Sequence, residues 1–168
     1  HNRSKKTVKD LIRYSAQAGF DSVKFQIYDA EEAFSKKETT KDVKLSHLYG
    51  TKPWWKIAKN KILMPREWFG EMFDYVRKFK MVPLSAIHRE EDIIFLKKFG
   101  LSAIKIASID LNYYQLHEKL IKYNLPTIIS TGMGNTDEIK RTIKFYKNRK
   151  HSKIILLHCN SLYPPKDN

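Results

Sequence analysis

Ala103-Ile104-Lys105-Ile106-Ala107-Ser108, then the helical stretch from Leu111 to Tyr123, then Thr127-Ile128-Ile129-Ser130 decide the fold of this chain. Both short runs are apolar on two faces, as strands buried in a parallel sheet are, and the segment between them is long enough for a helical crossover. The alternation continues in both directions. Upstream lie a strand from Val82 to Ile87 and a helix from Glu91 to Phe99, and downstream a helix from Asp137 to Asn148 and a strand from Ile154 to Cys159. The strand starts at Val82, Ala103, Thr127 and Ile154 are spaced as parallel strands joined by right-handed crossovers are. Gly100 ends one helix, Pro126 opens a strand, and Asn135 with Glu138 has the spacing of a capping box.

Nearer the N-terminus, Val8, Leu11, Ile12 and Ala18 recur at helical spacing between a capping Ser4 and a terminating Gly19. A strand rich in β-branched and aromatic residues follows from Asp21 to Tyr28. The stretch from Asp29 to Lys61 has no sustained period and reads as a long connection with one or two short helical turns. Pro65 then opens a helix whose apolar face holds Trp68, Phe69, Met72, Phe73, Val76 and Phe79.

Length and charge bound the function. The 168 residues suit one domain and fall short of the roughly 250 of a complete eight-stranded α/β barrel. With 42% hydrophobic and 30% charged residues, disordered, collagen-like and disulfide-framework classes are excluded. A net charge of +14 makes an anionic partner a question, although much of the lysine excess reads as a solvated face. Nucleic acid would need a contiguous basic stripe with accessible aromatics, whereas the aromatics here occupy core-like positions, so no nucleic-acid partner is expected. No apolar run approaches the roughly 18 residues of a membrane span, so no membrane partner is expected. Cys159 is the single cysteine, and a reducing cytoplasm fits.

In parallel α/β proteins ligands bind beyond the C-terminal ends of the strands. The strand ends here offer Lys24 and Gln26; Ser85 and His88; Lys105, Ser108 and Asp110; Ser130 and Thr131; and His158, Asn160 and Ser161. Lys24 and Lys105 sit in apolar strand contexts, where a cation needs an anion. That anion is either a ligand's phosphate or carboxylate or a neighbouring acidic side chain. Ser130-Thr131-Gly132-Met133-Gly134 adds hydroxyls and open backbone just before a helix N-terminus. His158 is the histidine best placed for metal ligation or acid–base work, while His47, His88, His117 and His151 read as less constrained; a metal needs about three protein donors and no ligand-spacing motif is present. Cys159 reads as a neighbour of the ligand residues rather than a nucleophile.

Taken together, Asp21-Ser22-Val23-Lys24-Phe25-Gln26, Lys105-Ile106-Ala107-Ser108, Ser130-Thr131-Gly132-Met133 and Leu157-His158-Cys159-Asn160-Ser161 with Tyr163-Pro164 resemble, in order and spacing, the strand-end motifs of the sialic acid synthase family. His1-Asn2-Arg3-Ser4 resembles that family's His-Asn-Gly-Ser turn. The resemblance implies an α/β fold, a TIM-type (β/α)8 barrel present as a partial barrel of about strands two to six. Residues 1–168 are then an incomplete catalytic domain without strand one, strands seven and eight or the C-terminal antifreeze-like domain. Such a segment would leave unpaired edges and exposed apolar strand faces, and on its own it is expected to be inactive.

The implied activity is condensation of phosphoenolpyruvate with an N-acylated mannosamine-type aldehyde sugar to a nine-carbon 2-keto acid, with release of phosphate. The alternative is a catalytically altered relative serving as a carbohydrate-phosphate binding or assembly subunit. Lys24, Lys105, Asp110 and His158 carry over as catalytic residues, with His158 also a ligand of Mn2+ or Mg2+. Asn2, Gln26, Ser85, Ser108, Ser130, Thr131, Gly132, Asn160 and Ser161 carry over as substrate-binding residues. A cytoplasmic homodimer is implied, working toward bacterial surface polysaccharide. There are three departures from the pattern: Ser85-Ala86-Ile87-His88 replaces Ser-Thr-Pro-Phe, Asp110 replaces a glutamate, and Arg3 replaces the glycine of the first turn.

Overall fold

The computed structural model describes residues 1–161, so Tyr163 and Pro164 lie outside the described residues. Two compact units divide the chain, His1–Met81 and Val82–Asn168.

In the first unit, α1 (Lys5–Gln17) is capped by Ser4, whose side chain accepts from the Thr7 amide at 3.2 Å. It ends at Gly19, whose φ of 81° favours a residue without a Cβ. Strand β1 (Ser22–Gln26) turns Phe25 into the core and leaves Lys24 and Gln26 exposed on the opposite face. The long connection holds more structure than its sequence suggests: α2 (Ala30–Ala33), α3 (Ser46–Tyr49), α4 (Trp54–Ile57) and a π-helical turn (Ala58–Ile62), and a 3-10 turn (Arg66–Trp68) follows Pro65 at the start of the next helix. Single turns have too few residues to show a period, which is why only one or two were expected. Helix α5 (Phe69–Lys78) buries Phe69, Met72, Phe73 and Val76 completely. Lys5 and Lys9 of α1 grip Glu71 of α5 at 2.8 and 2.6 Å.

The second unit is a regular βα series: β2 (Val82–Ala86), α6 (Glu90–Lys97), β3 (Ile104–Ile106), α7 (Tyr114–Ile121), β4 (Thr127–Ser130), α8 (Thr136–Asn148) and β5 (Ile154–Leu157). Its strands pair in parallel, with Ala86 opposite Lys105, Lys105 opposite Ile128, and Ile128 opposite Ile155. Because alternate residues face opposite sides, Ser85, Ile104, Ile106 and Ile129 form the other face, and all four are fully buried. The expected capping box closes the start of α8, with Asn135 and Glu138 exchanging bonds of 2.8 to 3.0 Å. The expected exposed apolar strand is β5, where Ile155 is 52% and Leu156 41% accessible.

Candidate functional site

The C-terminal ends of β2 to β5 carry a connected polar rim. After β3 the chain makes a 3-10 turn, Ser108–Asp110, that reaches both ways along the sheet. Toward β2, the Asp110 carboxylate accepts from His88 Nδ1 at 2.6 Å, with the two side chains only 15% and 14% exposed. Toward β4, Ser108 Oγ accepts from the Gly132 amide at 3.1 Å.

Thr131 and Gly132 are tied to the last strand as well. The Thr131 amide and hydroxyl both donate to the Leu157 carbonyl, at 3.1 and 2.9 Å, and the Ser161 hydroxyl donates to the Gly132 carbonyl at 2.5 Å. A Cβ at residue 132 would lie 2.8 Å from the Cys159 carbonyl oxygen and 3.1 Å from Ser161 Oγ, so this crossing requires glycine. The hydroxyls of Ser108, Thr131 and Ser161 therefore build the turn.

Ser130 is different. Its residue is 2% exposed and its Oγ has no hydrogen-bond partner among the described residues. Two residues beyond Ile128, it lies on the sheet face that carries Lys105. A buried hydroxyl left unsatisfied costs about 1–3 kcal/mol, a cost that a ligand oxygen would remove.

Ser85 is not brought to this rim. Register puts it on the face opposite Lys105, fully buried, with its hydroxyl donating to the Ala86 carbonyl at 3.0 Å. His158, Asn160 and Ser161 follow β5 as exposed residues, and Cys159 is half-buried beside Gly132. Among the described residues no three His, Cys, Asp or Glu side chains are grouped to hold a metal. His158 offers one imidazole where about three protein donors are needed, so the described residues do not by themselves fit a divalent cation.

The first unit places the remaining candidates. Lys24 and Gln26 line a cavity of about 400 Å³ with Val8, Ile12, Leu63 and Met64. Among the described residues Lys24 makes no hydrogen bond and no ion pair, and desolvation pulls its ammonium below the usual lysine range. Pairing with a neighbouring acid, one of the two explanations for a strand lysine, is thus not what the described residues show. Asn2 is exposed in the first turn, and Arg3, standing where glycine is the pattern, keeps the positive φ of 54° that glycine would adopt freely. Its guanidinium donates to the Lys59 carbonyl. A second cavity of about 710 Å³ is lined by Arg3, Glu31 and Lys59, but its Lys59 and Lys36 are already paired with Glu31, at 2.6 and 3.5 Å.

Three residues gain partners that their sequence setting did not suggest. His88 partners Asp110 across 22 residues of sequence, and His117 and Tyr146 bond to each other in the core at 2.8 Å. Helical spacing could have flagged His117 and Tyr146 as inward-facing, but their pairing depends on how two helices pack.

The family profile described as NeuB family matches residues 11–168. The chain belongs to the NeuB family. NeuB-family relatives include N,N'-diacetyllegionaminic acid synthase of Campylobacter jejuni, 30% identical over 98% of this chain and 49% of that protein. An uncharacterized protein of Methanocaldococcus jannaschii, MJ1065, is 34% identical over 98% of this chain and 44% of its own length. In fold, the chain superposes on the crystal structure of N-acetylneuraminic acid synthetase from Leptospira borgpetersenii with a TM-score of 0.82 at 24% identity, covering 99% of this chain and 53% of that one. The fold is a partial (β/α) barrel of the NeuB type. The chain spans less than half the length of the curated relatives it matches.

Proposed function

We propose that this NeuB-family chain forms part of a synthase that joins phosphoenolpyruvate to an N-acylated mannosamine-type aldehyde sugar, giving a nine-carbon 2-keto acid and phosphate. The supporting observation is the buried hydroxyl of Ser130, without a hydrogen-bond partner among the described residues, on the Lys105 face and beside a turn whose other hydroxyls are engaged. A cation and a lone hydroxyl at the strand ends are suited to an enol phosphate's anionic groups, and Lys24 is proposed as a further anion-binding cation.

In the proposed reaction C3 of the enol attacks the aldehyde carbon, whose oxygen takes up a proton. Water then adds at C2 and loses one proton, the bond from C2 to the phosphate oxygen breaks, and the C2 hydroxyl becomes the ketone as its remaining proton passes to the departing phosphate. Lys105 and Ser130 orient the substrate so that C3 meets the aldehyde carbon, a placement effect rather than one needing a strong base. Asp110 keeps His88 as the Nδ1–H tautomer, which makes this pair the group proposed to hold the proton lost by water. The reading includes a cytoplasmic homodimer, in keeping with the family resemblance. No helix among the described residues is long and apolar enough to cross a membrane.

The test is phosphate release from phosphoenolpyruvate by the full-length protein with candidate aldehyde sugars and added manganese. Lys105→Ala is expected to lower kcat/KM by about 10- to 100-fold, the loss of one charge-assisted contact. Absence of phosphate release by the wild type with every such sugar would favour the binding or assembly role instead.

A further inference from the structure

Behind the Ser108–Asp110 turn lies a buried polar pair that the proposed chemistry does not touch. His117 of α7 and Tyr146 of α8 are both 0% exposed. His117 Nε2 lies 2.9 Å from the Asp110 carbonyl oxygen, and Nδ1 lies 2.8 Å from the Tyr146 hydroxyl. A carbonyl has no proton to give, so Nε2 carries the hydrogen and donates it. Burial holds the imidazole below its usual pKa and the Tyr146 phenol above its own. The ring is therefore neutral with a bare Nδ1, which accepts from the hydroxyl of Tyr146. The same face of α8 sends the Thr142 hydroxyl to the Leu111 carbonyl at 3.2 Å, so two successive carbonyls after β3 are held from behind.

Leucine and phenylalanine would fill this core volume without desolvating three polar atoms, so the polar pair contributes directed bonds rather than burial. What those bonds fix is the main chain of Asp110, the residue whose carboxylate holds His88.

We propose that Tyr146 and His117 are positioning residues: Tyr146 sets the tautomer of His117, His117 anchors the Asp110 main chain, and the anchored Asp110 aims His88 at the strand-end rim. The placement follows from the geometry alone, and only its kinetic consequence rests on the synthase reading.

The experiment uses the full-length protein labelled with 15N-histidine, recording ring nitrogen signals for the wild type and the variants Tyr146→Phe, His117→Gln and His117→Asn, beside phosphate-release kinetics with phosphoenolpyruvate. Wild-type His117 is expected as the Nε2–H tautomer. Tyr146→Phe removes one hydroxyl and should move the ring signals of His88, a residue it does not touch. It should also lower kcat by about 3- to 10-fold with KM for phosphoenolpyruvate changed less than about twofold, the scale of one hydrogen bond acting through position. Glutamine keeps a donor near the Nε2 position, so His117→Gln should retain wild-type His88 signals, while asparagine, which cannot reach the carbonyl, should not. An Nδ1–H tautomer in the wild type, or His88 signals unmoved in Tyr146→Phe, overturns the proposal. If no sugar supports phosphate release, the synthase reading fails and the ring signals still decide the positioning role.

Discussion

At Ser130 a hydroxyl in a residue only 2% exposed has no hydrogen-bond partner among the described residues. Its neighbours Thr131, Ser108 and Ser161 all have bonds that hold the turn, so four hydroxyls that look alike in sequence divide into three builders and one unsatisfied group. Removing the unsatisfied group should have opposite effects on folding and on use. Ser130→Ala is expected to raise the unfolding free energy by about 1 kcal/mol, by deleting an uncompensated buried polar atom. The same variant of the full-length protein should bind phosphoenolpyruvate about 3- to 10-fold more weakly, the range for one hydrogen bond. Denaturant titration and ligand calorimetry read the two effects, and a destabilised Ser130→Ala with unchanged affinity would contradict this assignment. Lys105 and Asp110 could be singled out from sequence because charge in an apolar strand or at its end must be answered by something. Ser130 could not be separated from Thr131, since only the register and the Leu157 carbonyl distinguish them.

Among the elements, α7 and α8 do more than cover the sheet. They bury His117 and Tyr146, and His151, which follows α8, lies against the Tyr146 ring with 5.5 Å between centroids. Desolvation lowers the pKa of both histidines, His117 and His151, so the unfolded chain binds protons that the folded chain refuses. Their contribution to stability is complete above the unfolded value of about 6.5 and is lost as the pH falls below it toward the folded values. Melting temperature should therefore begin to fall between about pH 6.5 and 5, before the paired carboxylates matter. Glu71, drawn down to about 2 by Lys5 and Lys9, acts only in more acidic solution. His151→Gln should flatten the earlier decline, measured by calorimetry across that range; an unchanged slope would remove His151 from the account. The element boundaries themselves were largely legible: β4 has the limits read from sequence, and the capping box of α8 forms as its spacing indicated. Strand β3 shrinks to three residues because Ser108 begins the 3-10 turn, which apolar patterning does not reveal.

For the molecule as a whole, β5 is the feature with the largest physical consequence. It pairs with β4, yet Ile155, Leu156 and Leu157 remain 52%, 41% and 37% accessible, a combination of apolar surface and strand geometry that invites intermolecular pairing. Residues 1–168 expressed alone are expected to self-associate in a concentration-dependent way despite the net charge of +14, and Ile155→Lys should reduce that association. Sedimentation velocity over a concentration series checks this, and a monodisperse 19.9 kDa species throughout would refute it.

The order of strands and helices, the glycine at residue 132 and the candidate polar residues at the strand ends were determined by the sequence, because apolar periodicity, turn chemistry and isolated charges are local properties of the chain. Tertiary structure decided which of those residues meet. It turned Ser85 onto the face away from Lys105, joined His88 to Asp110 and His117 to Tyr146, and left the Ser130 hydroxyl without a partner among the described residues. These pairings join positions 22 and 29 residues apart, and they are fixed by strand register and helix packing, which the local pattern of side chains does not specify.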